Sequence, residues 1–393
     1  MAIVKSSYIN ILLVFIPLGI ASYAVKWSPT TTFILNFLAI IPLAKLLGFA
    51  TEDIALRTGE VIGGLLNATF GNAVELIISI LALTEGLIVV VQASMLGSIL
   101  SNLLLVLGMC FWGGGYYHKT QKFNQTVAQT SASLLFISVA SLLIPAAFYA
   151  SIKSAATTEM TEAQKQEYSQ DILNISRATS VILLVLYFSY LLFQFLATPT
   201  DDEEESGLVD GEVTEKEEEE EEVPQLPAWM AVVLLVVSTA LVGVCSEFLV
   251  SSIEEVTQLW HIGETFVGLI LIPIVGNAAE HLTAVTVALK NKMDLALGVA
   301  VGSSMQIALL VTPLMVIIGW GMDVDMSLYF NIYETAILFI AVIMVNYLIM
   351  DGESNWLEGF MLVAIYIVIA ISFYYYPDQI ESGASSSNST IVG

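Results

Sequence analysis

The pentapeptide Gly71-Asn72-Ala73-Val74-Glu75 recurs 205 positions later as Gly276-Asn277-Ala278-Ala279-Glu280. Each copy places a carboxylate inside a stretch of apolar residues. A second pair of segments, Gly97-Ser98 and Gly302-Ser303, keeps the same spacing. An ionisable residue at membrane depth is costly to bury and therefore marks a functional site by default. The two matched pairs indicate a duplicated unit whose polar centre is retained in both copies.

The composition places this chain among polytopic membrane proteins. Of its 393 residues, 56% are hydrophobic and 12% are charged, and the mean hydropathy is +0.81. The formal charge of −25 is concentrated in residues 201–222, where fourteen acidic residues stand against one lysine. The sequence has no basic patch, which excludes nucleic-acid binding. The two cysteines lie in apolar segments and predict neither a disulfide nor a thiolate metal site.

Apolar runs of roughly 20 residues, each long enough to cross ~30 Å of hydrocarbon, recur along the chain and predict an all-α protein with eleven transmembrane helices. Their approximate bounds are 8–25, 31–51, 60–83, 87–113, 126–150, 174–197, 228–252, 264–288, 294–320, 328–350 and 356–376.

The first helix stands apart, and the other ten divide into two sets of five around the acidic stretch. An odd number of spans per copy gives the two copies opposite orientations, which is the inverted-repeat plan of many secondary transporters. Loop Lys and Arg residues, seven on one side and four on the other, favour a cytosolic N-terminus and a luminal C-terminus. The predicted parts are an N-terminal helix in 1–28, repeat one in 29–200, an acidic cytoplasmic linker in 201–226, repeat two in 227–377 and a C-terminal tail in 378–393.

Glycine and proline inside the third and eighth predicted spans indicate broken helices beside the repeated carboxylates. Gly71 and Gly276 lie inside these spans, and Pro273 removes a backbone donor in the second copy only. Carbonyls freed by such a break are tolerated at membrane depth only where they line a cavity or are buried in protein. The break in the first copy therefore rests on glycine alone.

Two glutamates with several neutral oxygens match the needs of Ca²⁺, which takes ~6–8 oxygen ligands in flexible geometry. Transition metals favour His or Cys, and only His281 is nearby. Two close carboxylates in a dry, empty site cannot both stay charged, so at least one takes a proton. Glu75 and Glu280 are therefore predicted to bind either Ca²⁺ or protons, and competition for one site is the physical basis of antiport.

Polar residues in the fourth and ninth predicted spans are candidates to line the same site. The alternative is helix packing, because small residues let backbones approach closely. The repeat offset favours a site role for Ser98 and Ser303, while Asn102 and Gln306 fit both interpretations. The polar residues of the two spans are Ser98, Ser101, Asn102, Ser303, Ser304 and Gln306.

Three further residues are candidates for a proton path. Glu52 and Glu247 each follow a glycine by four positions, and inverted topology places them at opposite mouths of the protein. Helix ends in water are the alternative for both; Glu52, beside Asp53, fits either interpretation, whereas Glu247, several residues within its span, favours the proton path. His281 adjoins Glu280 and either donates to a neighbouring helix or titrates along the path.

Four segments, at 71–77, 92–98, 276–281 and 292–304, resemble the cation/proton exchanger family within the calcium/cation antiporter superfamily, above all its vacuolar Ca²⁺/H⁺ exchangers of fungi and plants. The resemblance implies that Glu75 and Glu280 are shared Ca²⁺/H⁺ ligands. The residues expected to line the site are Gly71, Asn72, Ala73, Gly276, Asn277, Ala278, Ser98, Ser303, Gln306 and Asn102. The acidic stretch resembles the family's helix for sensing cytosolic Ca²⁺ and contains Glu217, Glu218, Glu219, Glu220, Glu221 and Glu222.

The sequence thus predicts a secondary active antiporter, not an enzyme, that exchanges cytosolic Ca²⁺ for luminal H⁺ by alternating access. The vacuolar membrane follows from the resemblance; no cofactor is expected, and the oligomeric state stays open. A Na⁺- or K⁺-dependent Ca²⁺ exchanger of the same fold is the main alternative. A cation channel fits the inverted repeat less well, and an intramembrane aspartyl protease needs deep aspartates where this chain has glutamates.

Overall fold

The computed structural model describes residues 8–58, 63, 66, 69–155, 161–197 and 224–377. The acidic stretch with Glu217–Glu222 and the tail from residue 378 lie outside the described residues. The described chain is almost entirely helical. Its helices are α1 (Phe15–Ala24), α2 (Pro29–Thr58), α3 (Ala73–Thr84), α4 (Ile88–Tyr117), α5 (Gln125–Ala155), α6 (Glu162–Ala197), α7 (Ala228–Val250), α8 (Ile253–Trp260), α9 (Glu264–Gly276), α10 (Ala278–Leu289), α11 (Met293–Gly321), α12 (Ile332–Leu348) and α13 (Trp356–Tyr374).

Short elements complete the described chain. 3₁₀ turns occupy Tyr8–Val14 and Ile349–Asp351. The strands β1 (Gln121–Lys122) and β2 (Glu353–Ser354) form one antiparallel pair, with Gln121 opposite Ser354. This pair ties the loop after α4 to the loop before α13.

Eight of the described helices are long and apolar enough to cross a membrane, and the number becomes nine when α8 and α9, bent by 114°, are taken as one span. The segment Ile9–Ala24 and the helices α3 and α10 are apolar but shorter. Each of the eleven predicted spans contains a helix. The chain is therefore an integral membrane protein of helices, and the count of eleven spans stays a prediction.

Helix bounds in the two halves of the chain recur at the offset of the sequence motif. The helices α3 and α10 both have 12 residues, and their first residues, Ala73 and Ala278, lie 205 positions apart. The helices α4 and α11 begin 205 positions apart, at Ile88 and Met293. The repeated sequence therefore folds into repeated local structure.

Both α4 and α11 contain a π-helical turn at corresponding depth, Ser101–Val106 in one and Ile307–Val311 in the other. Wide turns of this kind occur frequently at functional sites. Ser304 Oγ lies 3.5 Å from the carbonyl of Ile99, and these two positions are themselves 205 apart. The two long helices therefore touch at equivalent residues, close to where Ser98 and Ser303 lie.

A close backbone approach joins α4 to the N-terminal half of α9. A Cβ added to Gly97 would lie 2.1 Å from the carbonyl oxygen of Leu269, and one added to Gly268 would lie 2.8 Å from Ala93 Cβ. Leu269 belongs to a π-helical turn, Val267–Leu271. Glycine is thus required at Gly97 for this contact, which brings α9 and its terminal Gly276 against the helix that carries Ser98.

Candidate cation site

Both repeated pentapeptides break their helices, and they do so at the asparagine. Asn72 has φ −95° and ψ 14°, and Asn277 has φ −95° and ψ 5°. The helices α3 and α10 begin at the next residue. In the second copy the chain stays helical through Pro273 and breaks four residues later, and the first copy breaks without a proline. The predicted breaks are present in both copies.

The two glutamates lie in the first turns of the new helices. Glu75 belongs to α3 and is 2% exposed, whereas Glu280 belongs to α10 and is partly exposed. A carboxylate in the first turn of a helix is stabilised by the N-terminal end of the helix dipole. Each break therefore creates a new helix N-terminus and places one carboxylate in its first turn.

Each carboxylate accepts a hydrogen bond from the serine 23 residues later. Ser98 Oγ, on α4, donates to Glu75 Oε1 at 3.1 Å. Ser303 Oγ, on α11, donates to Glu280 Oε2 at 2.7 Å. The structure thus pairs each glutamate with the serine of its own copy.

The two copies meet at their glycines. A Cβ added to Gly71 would lie 3.6 Å from Glu280 Oε1, and one added to Gly276 would lie 3.2 Å from Glu75 Cγ. Each carboxylate therefore faces the broken segment of the other copy. Glu75 and Glu280 share one centre, and side chains larger than hydrogen at Gly71 and Gly276 would reduce the room around them.

Side-chain amides link the two copies across this centre. Asn72 Nδ2 donates to Gln306 Oε1 at 2.8 Å. Asn102 Nδ2 donates to Ser303 Oγ at 3.1 Å, and that hydroxyl in turn donates to Glu280. Buried hydrogen bonds connected in this way orient each other. The sequence left two interpretations open for Gln306 and Asn102. In the structure, Gln306 contacts Asn72 of the first pentapeptide, and Asn102 contacts Ser303, the serine partner of Glu280.

Three buried atoms at this centre have no hydrogen-bond partner at bonding geometry within the described part of the chain. They are Glu75 Oε2 and both polar atoms, Oδ1 and Nδ2, of the Asn277 amide. Buried polar atoms are almost always satisfied, so these unsatisfied atoms beside a second carboxylate call for a bound cation, proton or water. Among the described residues, no group of three or more His, Cys, Asp or Glu side chains could hold a metal ion. The oxygens available here are two carboxylates with amide and hydroxyl groups, a set that suits Ca²⁺.

The neighbouring polar residues have mixed roles. His281 is buried, and its Nε2 lies 3.4 Å from Ser101 Oγ on α4, so the imidazole contacts a neighbouring helix. Ser304 Oγ donates to the carbonyl of Ala300 within its own helix at 2.9 Å. Ala73 and Ala278 open α3 and α10 directly after the breaks.

The two outer glutamates lie away from this centre. Glu52 is exposed on α2, and Glu247 is exposed near the end of α7. A role for either residue in a proton path stays a prediction.

Sequence reasoning missed the buried acid beside Glu52. Asp53 is 3% exposed, forms an ion pair with Arg57 at 3.2 Å, and accepts the backbone N–H groups of Gln225 at 2.6 Å and Leu226 at 3.0 Å. Prolines flank these two residues and lack an N–H group of their own. The spacing of Asp53 and Arg57 by four positions in a helix was the available signal. This contact ties the end of α2 to the start of α7.

Comparisons with known proteins identify the family to which the chain is similar. The sodium/calcium exchanger protein family matches the chain over residues 28–196 and 230–375. A vacuolar calcium ion transporter of Schizosaccharomyces pombe is 45% identical over 382 residues, which are 96% of this chain and 87% of that protein.

Bacterial and structural relatives extend the likeness. A Ca²⁺/H⁺ antiporter of Synechocystis is 43% identical over 95% of this chain and 98% of its own length. The solved structure of native YfkE superposes with a TM-score of 0.76 at 36% identity, over 93% of this chain and 99% of that one. The resemblance found in the sequence is confirmed.

Proposed function

This chain belongs to the sodium/calcium exchanger protein family, and from that premise we propose that it is a secondary active antiporter that exchanges Ca²⁺ for H⁺. The names of the relatives from Schizosaccharomyces pombe and Synechocystis support Ca²⁺ as the cargo, and the second also supports H⁺ as the counter-ion. Ca²⁺ is a substrate in this proposal and not a resident cofactor.

The observation that carries the proposal is the convergence of Glu75 and Glu280 on one centre with unpartnered oxygens. Two carboxylates neutralise a divalent cation, and Glu75 Oε2 with Asn277 Oδ1 would supply further ligands. Ca²⁺ accepts such an irregular oxygen set more readily than Mg²⁺, which demands near-ideal octahedral geometry.

Protons compete for the same carboxylates. When Ca²⁺ leaves, two carboxylates facing one centre in a mostly buried site repel each other, and protonation removes the repulsion. Ca²⁺ binding requires deprotonated ligands and therefore displaces those protons. Exchange follows when the site, loaded with one ion or the other, is exposed alternately to the two sides of the membrane.

Alternating access is best explained by two inverted repeats. The repeated helix bounds and the crossing of each glutamate to the other copy's glycine support a duplicated unit with its site between the copies. In this proposal, repeat one (29–200) and repeat two (227–377) rock against each other around a site at the membrane midplane, and the helix in 1–28 stands outside both.

The proposed location is a vacuolar membrane, with a cytosolic N-terminus and a luminal C-terminus. The name of the fungal relative supports the vacuole, and the bias of basic loop residues supports the orientation. In that orientation the acidic stretch 201–222 faces the cytosol, where its charge would attract Ca²⁺ or regulate transport.

Uptake of Ca²⁺ into proteoliposomes tests the proposal against its alternatives. Purified protein is reconstituted with an imposed inside-acid pH gradient, an outward Na⁺ gradient or an outward K⁺ gradient. The proposal expects uptake with the pH gradient alone and its loss when that gradient is collapsed. Uptake that ignores pH and follows Na⁺ or K⁺ would overturn proton coupling in favour of a Na⁺- or K⁺-dependent exchanger. Flux that needs no counter-ion would indicate a channel.

A further inference from the structure

A buried glutamine holds the far end of the helix that carries Glu280. The Gln121 side chain, 1% exposed, donates from Nε2 to the Ala288 carbonyl at 2.9 Å and to Asn291 Oδ1 at 3.0 Å. Ala288 lies in the last turn of α10, and Glu280 lies in its first turn. Gln121, Ala288 and Asn291 are called the polar clasp below.

The surrounding sequence is built to hold this glutamine. A Cβ added to Gly114 in α4 would overlap Gln121 Oε1 and lie 3.2 Å from the Ala288 carbonyl oxygen, so the amide packs directly against this glycine. Asn291 has φ 62°, a left-handed conformation that asparagine tolerates better than most residues. The pairing of β1 with β2 fixes the backbone of Gln121, and the Asn124 N–H donates to Asp294 Oδ1 at 2.6 Å. Contacts outside the polar clasp therefore hold both the segment of Gln121 and the segment that follows Asn291.

An apolar counterpart stands at the equivalent positions of the other copy. At the 205-residue offset, Gly114 corresponds to Gly319, Gln121 to Met326 and Ala288 to Leu83. A Cβ added to Gly319 would lie 2.7 Å from Met326 Cβ and 3.6 Å from Leu83 Cδ2. Both Met326 and Leu83 are 1% exposed. Leu83 lies near the end of α3, the helix of Glu75, so the same three-residue arrangement is apolar there.

The two arrangements lie at opposite ends of α4. Gly114, against the polar clasp, is in the last turn of this 30-residue helix, which is about 45 Å long. Near the start of α4, Gln92 Nε2 donates to the carbonyls of Ser327 at 2.9 Å and Tyr329 at 3.2 Å, on either side of Leu328 and close to Met326. The far end of α10, the helix of Glu280, is thus held at one face of the protein, and the far end of α3, the helix of Glu75, at the opposite face.

Hydrogen bonds and apolar contacts secure a helix differently. A hydrogen bond fixes distance and angle, and it weakens steeply when its geometry is lost. Apolar contact is non-directional and tolerates small sliding. A short α-helix acts as a stiff rod, so fixing the last turn of α10 also limits how far its first turn can shift. Among the described residues, the helix of Glu280 carries this polar restraint at its far end and the helix of Glu75 has Met326 and Leu83 in its place.

We propose that Gln121 is a positioning residue for Ca²⁺ binding: through α10 it fixes where Glu280 stands relative to Glu75 and Ser303. This inference rests on the proposed function, because it concerns the affinity of that same site. Loss of the polar clasp removes no ligand from the site but lets Glu280 shift. Ca²⁺ binding weakens, while the maximal rate of exchange is largely retained.

Direct Ca²⁺ binding to the purified full-length protein tests this. Gln121→Met replaces the amide by a side chain of similar size and imitates Met326. It is expected to raise the dissociation constant for ⁴⁵Ca²⁺ about tenfold, which corresponds to Glu280 standing in its binding position about a tenth of the time in the free protein. The matched control is Gln92→Met, which also removes two hydrogen bonds from a glutamine side chain but belongs to neither α3 nor α10. It is expected to leave the dissociation constant unchanged.

Two further measurements separate positioning from a general structural effect. Hydrogen–deuterium exchange of the peptide covering residues 287–294 should quicken in Gln121→Met and not in Gln92→Met. In proteoliposomes Gln121→Met should raise half-saturating Ca²⁺ with a maximal rate within about twofold of wild type. If Gln121→Met does not fold, Gln121→Asn, which keeps the amide one methylene short, should weaken binding in the same direction.

The outcomes distinguish the two proposals. If the wild type binds Ca²⁺ and a folded Gln121 variant binds it equally well, the positioning role is overturned and the proposed function is left intact. Equal weakening by Gln121→Met and Gln92→Met also overturns it, because the effect is then not specific to α10. Wild type that binds no Ca²⁺ overturns the proposed function itself.

Discussion

The two halves of the cation site have the same chemistry but different surroundings. In the first half, Glu75 is 2% exposed and Ser98 1%, and Gly97 beside them packs against the Leu269 carbonyl. In the second half, Glu280 is partly exposed, and among the described residues no atom lies within 4 Å of a Cβ added to Gly302. Gly298, one helical turn before Gly302, is exposed.

This difference teaches that the repeated sequence sets the ligands, whereas the packing around them sets how deeply each carboxylate is buried. Glu75 and Glu280 follow the same pentapeptide, hold the same helix position and accept from equivalent serines. The α9 backbone covers α4 at Gly97, whereas most of the segment at the equivalent offset, 59–71, lies outside the described residues. Of the two carboxylates, Glu75 is the more deeply buried.

The largest expected effect falls equally on both halves. Glu75→Gln and Glu280→Gln should each reduce proton-driven Ca²⁺ uptake by at least about 100-fold, because one carboxylate cannot neutralise Ca²⁺ in a mostly buried site. Uptake into proteoliposomes at matched protein content measures this. Glu85→Gln, an exposed glutamate just after α3, is the control and should transport normally. Either site variant working at the wild-type rate would contradict the shared site.

The next largest effect is on stability and distinguishes the packing of the two halves of the site. Gly97→Ala forces a methyl group into the Leu269 backbone and should destabilise the protein by about 1–3 kcal/mol. Gly302→Ala meets no atom of the described residues within 4 Å and replaces glycine within a helix, so it should be neutral or stabilising by up to about 1 kcal/mol. Thermal unfolding of the two variants in detergent checks this. Equal losses would mean that the second half is packed as tightly as the first.

Chemical labelling tests access directly. Gly298→Cys should react with a charged thiol reagent at least about tenfold faster than Ala93→Cys, its equivalent in the first half, which is 1% exposed. The native thiols Cys110 and Cys245 are buried and should contribute little background. Labelling rates measured on folded protein decide the comparison. Faster reaction at Ala93→Cys than at Gly298→Cys would mean that the first half, and not the second, is the more exposed.

The smallest effect concerns the serine partners. Ser98→Ala leaves Glu75 Oε1 without a donor where water has little access, and should weaken Ca²⁺ binding about tenfold, as for a hydrogen bond to a charged group. Ser303 is itself 5% exposed, but its partner Glu280 is partly exposed, so water can donate to that carboxylate instead, and Ser303→Ala should cost about twofold to threefold. Equilibrium binding of ⁴⁵Ca²⁺ to both variants gives the ratio. A larger loss of Ca²⁺ affinity in Ser303→Ala than in Ser98→Ala would show that the partial exposure of Glu280 does not reduce the cost of losing its serine donor.

Much of this architecture could be predicted because it is encoded locally. Hydrophobic runs predicted where the helices lie, and the repeated pentapeptide predicted both breaks and both glutamates. The serines at Ser98 and Ser303 followed from the same offset. These features depend on residues close in sequence or on a repeat that can be read directly.

The remaining features depend on contacts between distant segments. Asn102 donates to Ser303 across 201 positions, and Gln121 reaches Ala288 across 167. The approach of Leu269 to Gly97 helps to bury the half of the site around Glu75, yet nothing in the local sequence of Gly97 announces this contact. Asp53, and not its neighbour Glu52, is buried because Arg57 and two backbone N–H groups stabilise its charge. Partners of this kind are visible only in the fold.

The central claim is that one site is shared by Ca²⁺ and protons. Titrating Ca²⁺ into purified protein in weakly buffered detergent solution, with a pH indicator and at a series of starting pH values, tests it most directly. The account predicts that Ca²⁺ binding releases protons, that its affinity falls as the pH is lowered, and that both effects vanish in the double variant Glu75→Gln/Glu280→Gln. Ca²⁺ binding with no proton release and with an affinity independent of pH would contradict it.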